Sequence, residues 1–213
     1  MDAMASYLEK ENIKTVQEED LVSFFTPLFD AQINDLPKSV DYLTEWNDNL
    51  NAIEKLKPYI FDLMLLHWFF SFAEEEGFFE SAEWEIIEEK SIDLGTELFP
   101  LLMYIWECKE EEMEIEIEDY LFNYLMGEDD MEQDQIAVYE PLIKNYALVN
   151  EPFNSSKIIK EKNKNSEISE FILPILLLFN HQKNEVDRTK WLHENGDGLE
   201  VFIYETIKGI NKV

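Results

Sequence analysis

"YIFDLMLLHWFFSFAEEE", residues Tyr59–Glu76, decides the fold class. From Tyr59 to Phe70 only Asp62 and His67 interrupt the apolar residues, so a helix built here is greasy on nearly every side. Pro58 ahead of it suits a first helical turn, where the missing N–H has no intrahelical partner to lose. Gly77 behind it suits a C-cap. A helix apolar all round needs neighbours all round. It therefore reads as the central helix of an all-α protein. It is shorter than the ~20 residues that cross a bilayer, as is the second apolar window, Phe171–Phe179, and no membrane span is expected.

The same period extends outward. Thr15-x-x-Glu18 has the spacing of a capping box ahead of Leu21, Val22, Phe24, Phe25, Leu28 and Phe29, with Pro27 as a kink or a second start. Ser39 is expected to cap a helix to about Lys57, with Val40, Leu43, Trp46, Leu50 and Ile53 at spacings of three and four. Ser81–Leu94, with Trp84, Ile87 and Leu94 inward, and Thr96–Cys108 read as further helices. So do residues 128–148 around Pro141, Glu167–His181 around Pro174, and a terminal helix from Asp187 or Leu199 to Ile210. The 213 residues hold only six glycines, too few for the turns of an all-β fold. The expected fold is all-α, a single domain over 1–213 of about eight to ten helices, as an irregular bundle or a helical-repeat-like array. "FFTPLF", "LFPLLM", "YEPLIK" and "ILPILL" recur, but their prolines are 73, 41 and 33 residues apart. True repeats keep a nearly fixed period, so these read as prolines near helix starts.

Hydrophobic residues make up 46% and aromatics 14% of the chain, which excludes disorder despite the charge. Cys108 is the only cysteine. No intramolecular disulfide follows, and the thiol is expected to pack as a small hydrophobe in a reducing compartment. The first residues, MDAMASYLEKENIK, lack a basic segment followed by an apolar run, so no secretory signal is expected there and the expected location is the cytoplasm.

The charge is extreme and uneven: 47 acidic against 17 basic residues give a net charge of -30. Residues 1–150 carry 37 acids and 8 lysines, whereas 151–213 carry 10 acids and 9 basic residues. The organisation expected is a strongly acidic part over 1–149, a polar basic linker over 150–166 and a near-neutral part over 167–213. Such a field repels nucleic acid and anionic membrane and steers a basic protein in. General acidity for solubility should cover the chain evenly, and here it does not.

Catalytic patterns are missing. No Glu-x-x-His pair precedes His67, His181 or His193, so a di-iron bundle is not supported, and no His-Glu-x-x-His zinc motif occurs. "HENGDGLEVFIYE", His193–Glu205, has the rhythm of a calcium loop, but His193 and Tyr204 fall where Asp and Glu are needed. There is no glycine-rich phosphate loop and no nucleophile elbow. Arg188 is the single arginine, which disfavours bidentate phosphate chemistry. No cofactor and no metal are expected.

Two stretches set aromatic or apolar residues among unneutralised acids. The first is Glu74, Glu75 and Glu76 with Phe78 and Phe79. The second is "EEEMEIEIEDYLFNYLMGEDDMEQD", Glu110–Asp134, with 12 carboxylates and no Lys, Arg or His. Alternation in it lasts only from Met113 to Ile117. Its spacing then predicts mostly helix, with Met113, Ile117, Tyr120, Leu121, Tyr124 and Leu125 inward and Gly127 as its end. Ile115 and Phe122 fall off that stripe, ringed by Glu112, Glu114, Glu116, Glu118 and Asp119. Glu128, Asp129 and Asp130 extend the acidic field. These residues are the candidate partner-binding set: apolar anchors fill pockets while carboxylates meet lysines and arginines. The profile is that of a non-enzymatic protein that neutralises a basic partner, of the immunity-protein or antitoxin kind. The alternatives are a DNA mimic that occupies nucleic-acid-binding proteins, and a helical enzyme using carboxylates and Mg²⁺.

Overall fold

The computed structural model describes residues 2–35, 38–39, 41–42, 53–125, 133–151, 157, 159–160, 166–180 and 185–212. Among them there is no strand. The helices are α1 (Asp2–Lys10), α2 (Glu18–Phe29), α3 (Lys57–Phe72), α4 (Ala82–Leu94), α5 (Leu98–Glu110), α6 (Gln133–Asn145), α7 (Ser169–Leu178), α8 (Glu185–Asn195) and α9 (Gly198–Lys212), joined by shorter turns. The all-α expectation holds. Contacts divide the chain into two compact units, Ile13–Phe99 on one side and Met1–Asn12 with Pro100–Val213 on the other. Helix α5 begins in the first unit and continues into the second.

The unit Ile13–Phe99 is built around α3. Its residues Tyr59, Ile60, Phe61, Met64, Leu65, Leu66, Trp68 and Phe69 are all buried, as are Leu21, Phe24 and Leu28 of α2 and Ile87 of α4. Trp68 donates its Nε1–H to the carbonyl of Ala31 at 3.0 Å, tying the core helix to the chain after α2. Pro58 lies in the first turn of α3, as expected.

Several local expectations change. Helix α2 starts at Glu18 itself, and the amide of Gln17 is held by the Asp20 carboxylate at 3.0 Å. The cap is thus two residues later than the Thr15–Glu18 spacing suggests. Helix α3 stops at Phe72, not Gly77. Gly77 has φ +79°, a left-handed conformation that costs glycine little. It turns the chain so that Phe78 stacks back on Phe72. His67, the second interruption of the apolar run, is exposed, with its ring edge-on to Phe29 at 5.5 Å. Leu94, expected inward, is 45% exposed. Pro27, Pro141 and Pro174 lie inside helices, not at their starts. Of the helix expected from Ser39, residues 40 and 43–52 lie outside the described residues. So do Gly127 and most of 150–166.

In the other unit, α1 packs along α9, and α9 along α7. Tyr7 meets Phe202 edge-to-face at 6.4 Å. The Glu11 carboxylate accepts the Gly198 N–H at 2.9 Å, and Lys10 donates to the His193 carbonyl. The expected single terminal helix is two, α8 and α9. The calcium-like rhythm at their junction is a capping box: the Asp197 N–H donates to Glu200 Oε2 at 2.7 Å and the Glu200 N–H to Asp197 Oδ1 at 3.1 Å. Arg188 reaches from α8 to the end of α7 and donates through Nη1 to the carbonyls of Leu177, Leu178 and Asn180. The single arginine is spent on a helix terminus.

Candidate functional site: an acidic cleft on an extended segment

Helix α5 ends at Glu110, and the chain reverses through Glu112 at φ +55°. Residues 113–116 are not helical, and Glu116 is extended at φ -120°, ψ 138°. The helical reading is therefore corrected for residues 113–116. A helical turn, Ile117–Asp119, follows and widens into a π turn, Tyr120–Tyr124, closed by the Leu125 N–H on the Tyr120 carbonyl at 2.9 Å.

Glu116 is anchored by one hydroxyl. Tyr104 Oη donates to the Glu116 carbonyl at 2.9 Å and accepts the Glu116 N–H at 3.1 Å. That hydroxyl takes the place of a neighbouring strand. Tyr104, Tyr120, Tyr124 and Phe179 form a ring cluster beneath, with centroids 5.2–6.5 Å apart. Burial pushes the Tyr104 and Tyr124 hydroxyls well above the usual tyrosine range, so both stay protonated and Tyr104 remains a donor. Burial also raises the Glu107 carboxyl, with the Glu111 and Asp119 charges adding to the shift. The Cys108 thiol is buried, and burial raises it too.

Above this base lies an open cleft of about 810 Å³, lined by Glu114, Ile115, Glu116, Ile117, Glu118, Val149, Asn150 and Phe179. Three carboxylates thus share one concavity with four apolar side chains. Glu114 and Glu116 are exposed and Glu118 is half-buried. Ile115 is half-buried, whereas Ile117, Val149 and Phe179 form the closed floor. Met113, expected inward, is 45% exposed. Phe122 is 39% exposed and braced edge-on by Tyr146 at 5.8 Å. Glu112 is exposed and Asp119 half-buried, the latter accepting from the Asn123 amide at 2.7 Å. Of the candidate set, Glu114, Ile115, Glu116 and Glu118 come together in the cleft. Glu128, Asp129 and Asp130 lie outside the described residues.

The second acidic-aromatic stretch belongs to the unit Ile13–Phe99. Phe78 is only 3% exposed, packed against Phe69, Phe72 and Trp84. It is a core residue, and its candidacy as an anchor is withdrawn. Phe79 is 53% exposed at the edge of the same cluster, with exposed Glu74, Glu75, Glu76 and Glu80 nearby in sequence.

Sequence reasoning missed Tyr104, Val149, Asn150 and Phe179. Tyr104 was legible only as an aromatic of α5, and nothing local ties it to Glu116. Among the described residues no group of three or more His, Cys, Asp or Glu side chains is placed to hold a metal ion. No described helix is long and apolar enough to cross a membrane. Compared with known protein families, curated proteins and solved structures, the chain matches none.

Proposed function

We propose that this chain is a binding protein that captures and neutralises a basic protein, as an immunity protein or antitoxin does. The observation that carries the reading is the cleft on Glu114–Glu118. Carboxylates stand over an apolar floor, on a backbone pinned by Tyr104. Long-range attraction by the acidic field speeds encounter. Apolar contact in the cleft then supplies the desolvated part of the affinity. Such a protein works in the cytoplasm, a setting that suits a single buried thiol.

The test is co-purification with the product of the neighbouring gene, followed by charge reversal in the cleft. Glu114→Lys with Glu116→Lys should weaken binding at least tenfold. Glu88→Lys with Glu89→Lys, exposed on α4 and not among the residues that line the cleft, makes the same change in net charge and should weaken it far less. Equal losses would mean that net charge alone binds. Competition with DNA for several unrelated binders, steeply dependent on salt, would favour a nucleic-acid mimic instead.

A further inference from the structure

The turn after α3 presents an aromatic ring to solvent on a fixed base. Gly77, in its left-handed conformation, leads the chain into a short 3-10 turn, Phe78–Glu80. Ser81 closes that turn. Its N–H reaches the Phe78 carbonyl at 2.9 Å, and its hydroxyl accepts the Trp84 N–H at 3.1 Å. Phe79 is thereby set against Trp84, with centroids 5.3 Å apart and the rings at 71°, and against Phe78 at 5.4 Å. Phe78 is in the core, Trp84 is half-buried and Phe79 is exposed. The two outer rings, packed edge to face, make a braced corner at the surface.

Charge complementarity chooses the occupant. From Glu74 to Glu89 there are eight carboxylates and no Lys or Arg, so the stretch that carries the corner has no cation of its own. Among the described residues, Glu74, Glu75, Glu76, Glu80, Glu83 and Glu85 form no ion pair. A Cβ on Gly77 would meet Glu80 Oε2 at 3.9 Å, which puts one of these carboxylates beside the turn itself. We propose that the Phe79–Trp84 corner is a docking point for an arginine side chain of a basic protein, separate from the cleft at Glu114–Glu118. A ring face attracts a cation within ~6 Å of its centroid. A guanidinium is flat and weakly hydrated, so it stacks on the ring and still turns its N–H groups to carboxylates at the rim. A lysine ammonium brings the charge without the plane. An apolar side chain brings neither, and a phosphate is repelled. The turn is fixed at Gly77 and Ser81 beforehand, so docking has little chain to order.

The test is an NMR titration of the full chain at about 150 mM NaCl, where attraction to the distant charges is screened. The probes are end-blocked Gly-Arg-Gly, Gly-Lys-Gly and Gly-citrulline-Gly. The arginine peptide should move the Trp84 indole N–H and the Phe79 ring resonances saturably. Citrulline keeps the shape without the charge and should bind about fivefold more weakly or worse, with lysine in between. Phe79→Leu keeps apolar surface without a ring and should lose at least about threefold for the arginine peptide, whereas Phe79→Tyr should keep it. Glu114→Lys with Glu116→Lys should retain the Trp84 response, so that failure of the corner and failure of the cleft are read separately. Loss of the response in that variant would overturn a separate docking point. Equal binding of arginine and citrulline, an unaffected Phe79→Leu variant, or no saturable shift at Trp84 and Phe79 would each overturn the proposal.

Discussion

Asp62 sits where water does not reach it, in the middle of α3. Its carboxyl accepts the Thr96 N–H at 3.0 Å and bonds the Thr96 hydroxyl, and that hydroxyl accepts the Leu98 N–H at the start of α5. Burial is the largest influence and pushes its pKa up to about 8 against the two bonds from Thr96, while burial brings Glu97 to about 7. Unfolded, an Asp carboxyl titrates near ~3.9. Between those values the folded state holds a proton that the unfolded chain has released. Stability should therefore fall as pH rises from about 4 to about 8, then level off. Asp62→Asn removes that slope while keeping an acceptor for Thr96. In urea unfolding, the variant should gain on the parent by on the order of 2–5 kcal/mol between pH 4.5 and pH 8.5. Parallel pH profiles for the two proteins would show that Asp62 is not held protonated. Asp62 was visible in the sequence as the break in a greasy helix. Its partner lies 34 positions away, and no local pattern announces it.

At the scale of elements, helix starts were more legible than helix ends. Pro58 and Ser81 mark α3 and α4 because N-terminal signals are local: a missing N–H, or a side chain accepting the Trp84 amide at 3.1 Å. The end of α3 was misread because Glu74–Glu76 suits a helix, yet Phe78 must fold back onto Phe72. The segment 113–116 shows a similar contest. The helical spacing from Ile117 onward was real, and it hid a non-helical piece held at Glu116 by Tyr104. The end of α7 was equally hidden, since its cap is Arg188 in the next helix. Three carbonyls there share one guanidinium nitrogen. A hydrogen bond to a charged group is worth roughly 1.5–3 kcal/mol. Arg188→Met, which keeps much of the stem, should cost about 2–4 kcal/mol in urea unfolding. Arg188→Lys should recover part of that loss. An unchanged midpoint in the Met variant would rule out the cap as a stabilising feature.

For the molecule as a whole, the charge total makes the most direct prediction. A net charge of -30 strains any compact state by self-repulsion. Salt screens it, with a Debye length falling from ~30 Å at 0.01 M to ~10 Å at 0.1 M. The melting temperature should rise between 10 and 500 mM NaCl by at least about 2 °C. A flat profile would mean that the carboxylates are compensated locally. Fold class was legible because period and composition are global averages. The cleft was only half legible: its acidic edge lies on one continuous stretch, but its floor is borrowed from Val149 and Phe179. The pairing of α1 with α9 has one more consequence, for the order of events at birth. Glu11 waits for Gly198, 187 positions further along. At ~5–20 residues per second, synthesis needs about 10–40 s to supply it. The unit Ile13–Phe99 is continuous in sequence and is free to fold while α1 remains without its partner. Helix α1 is thus made long before the helix that receives it.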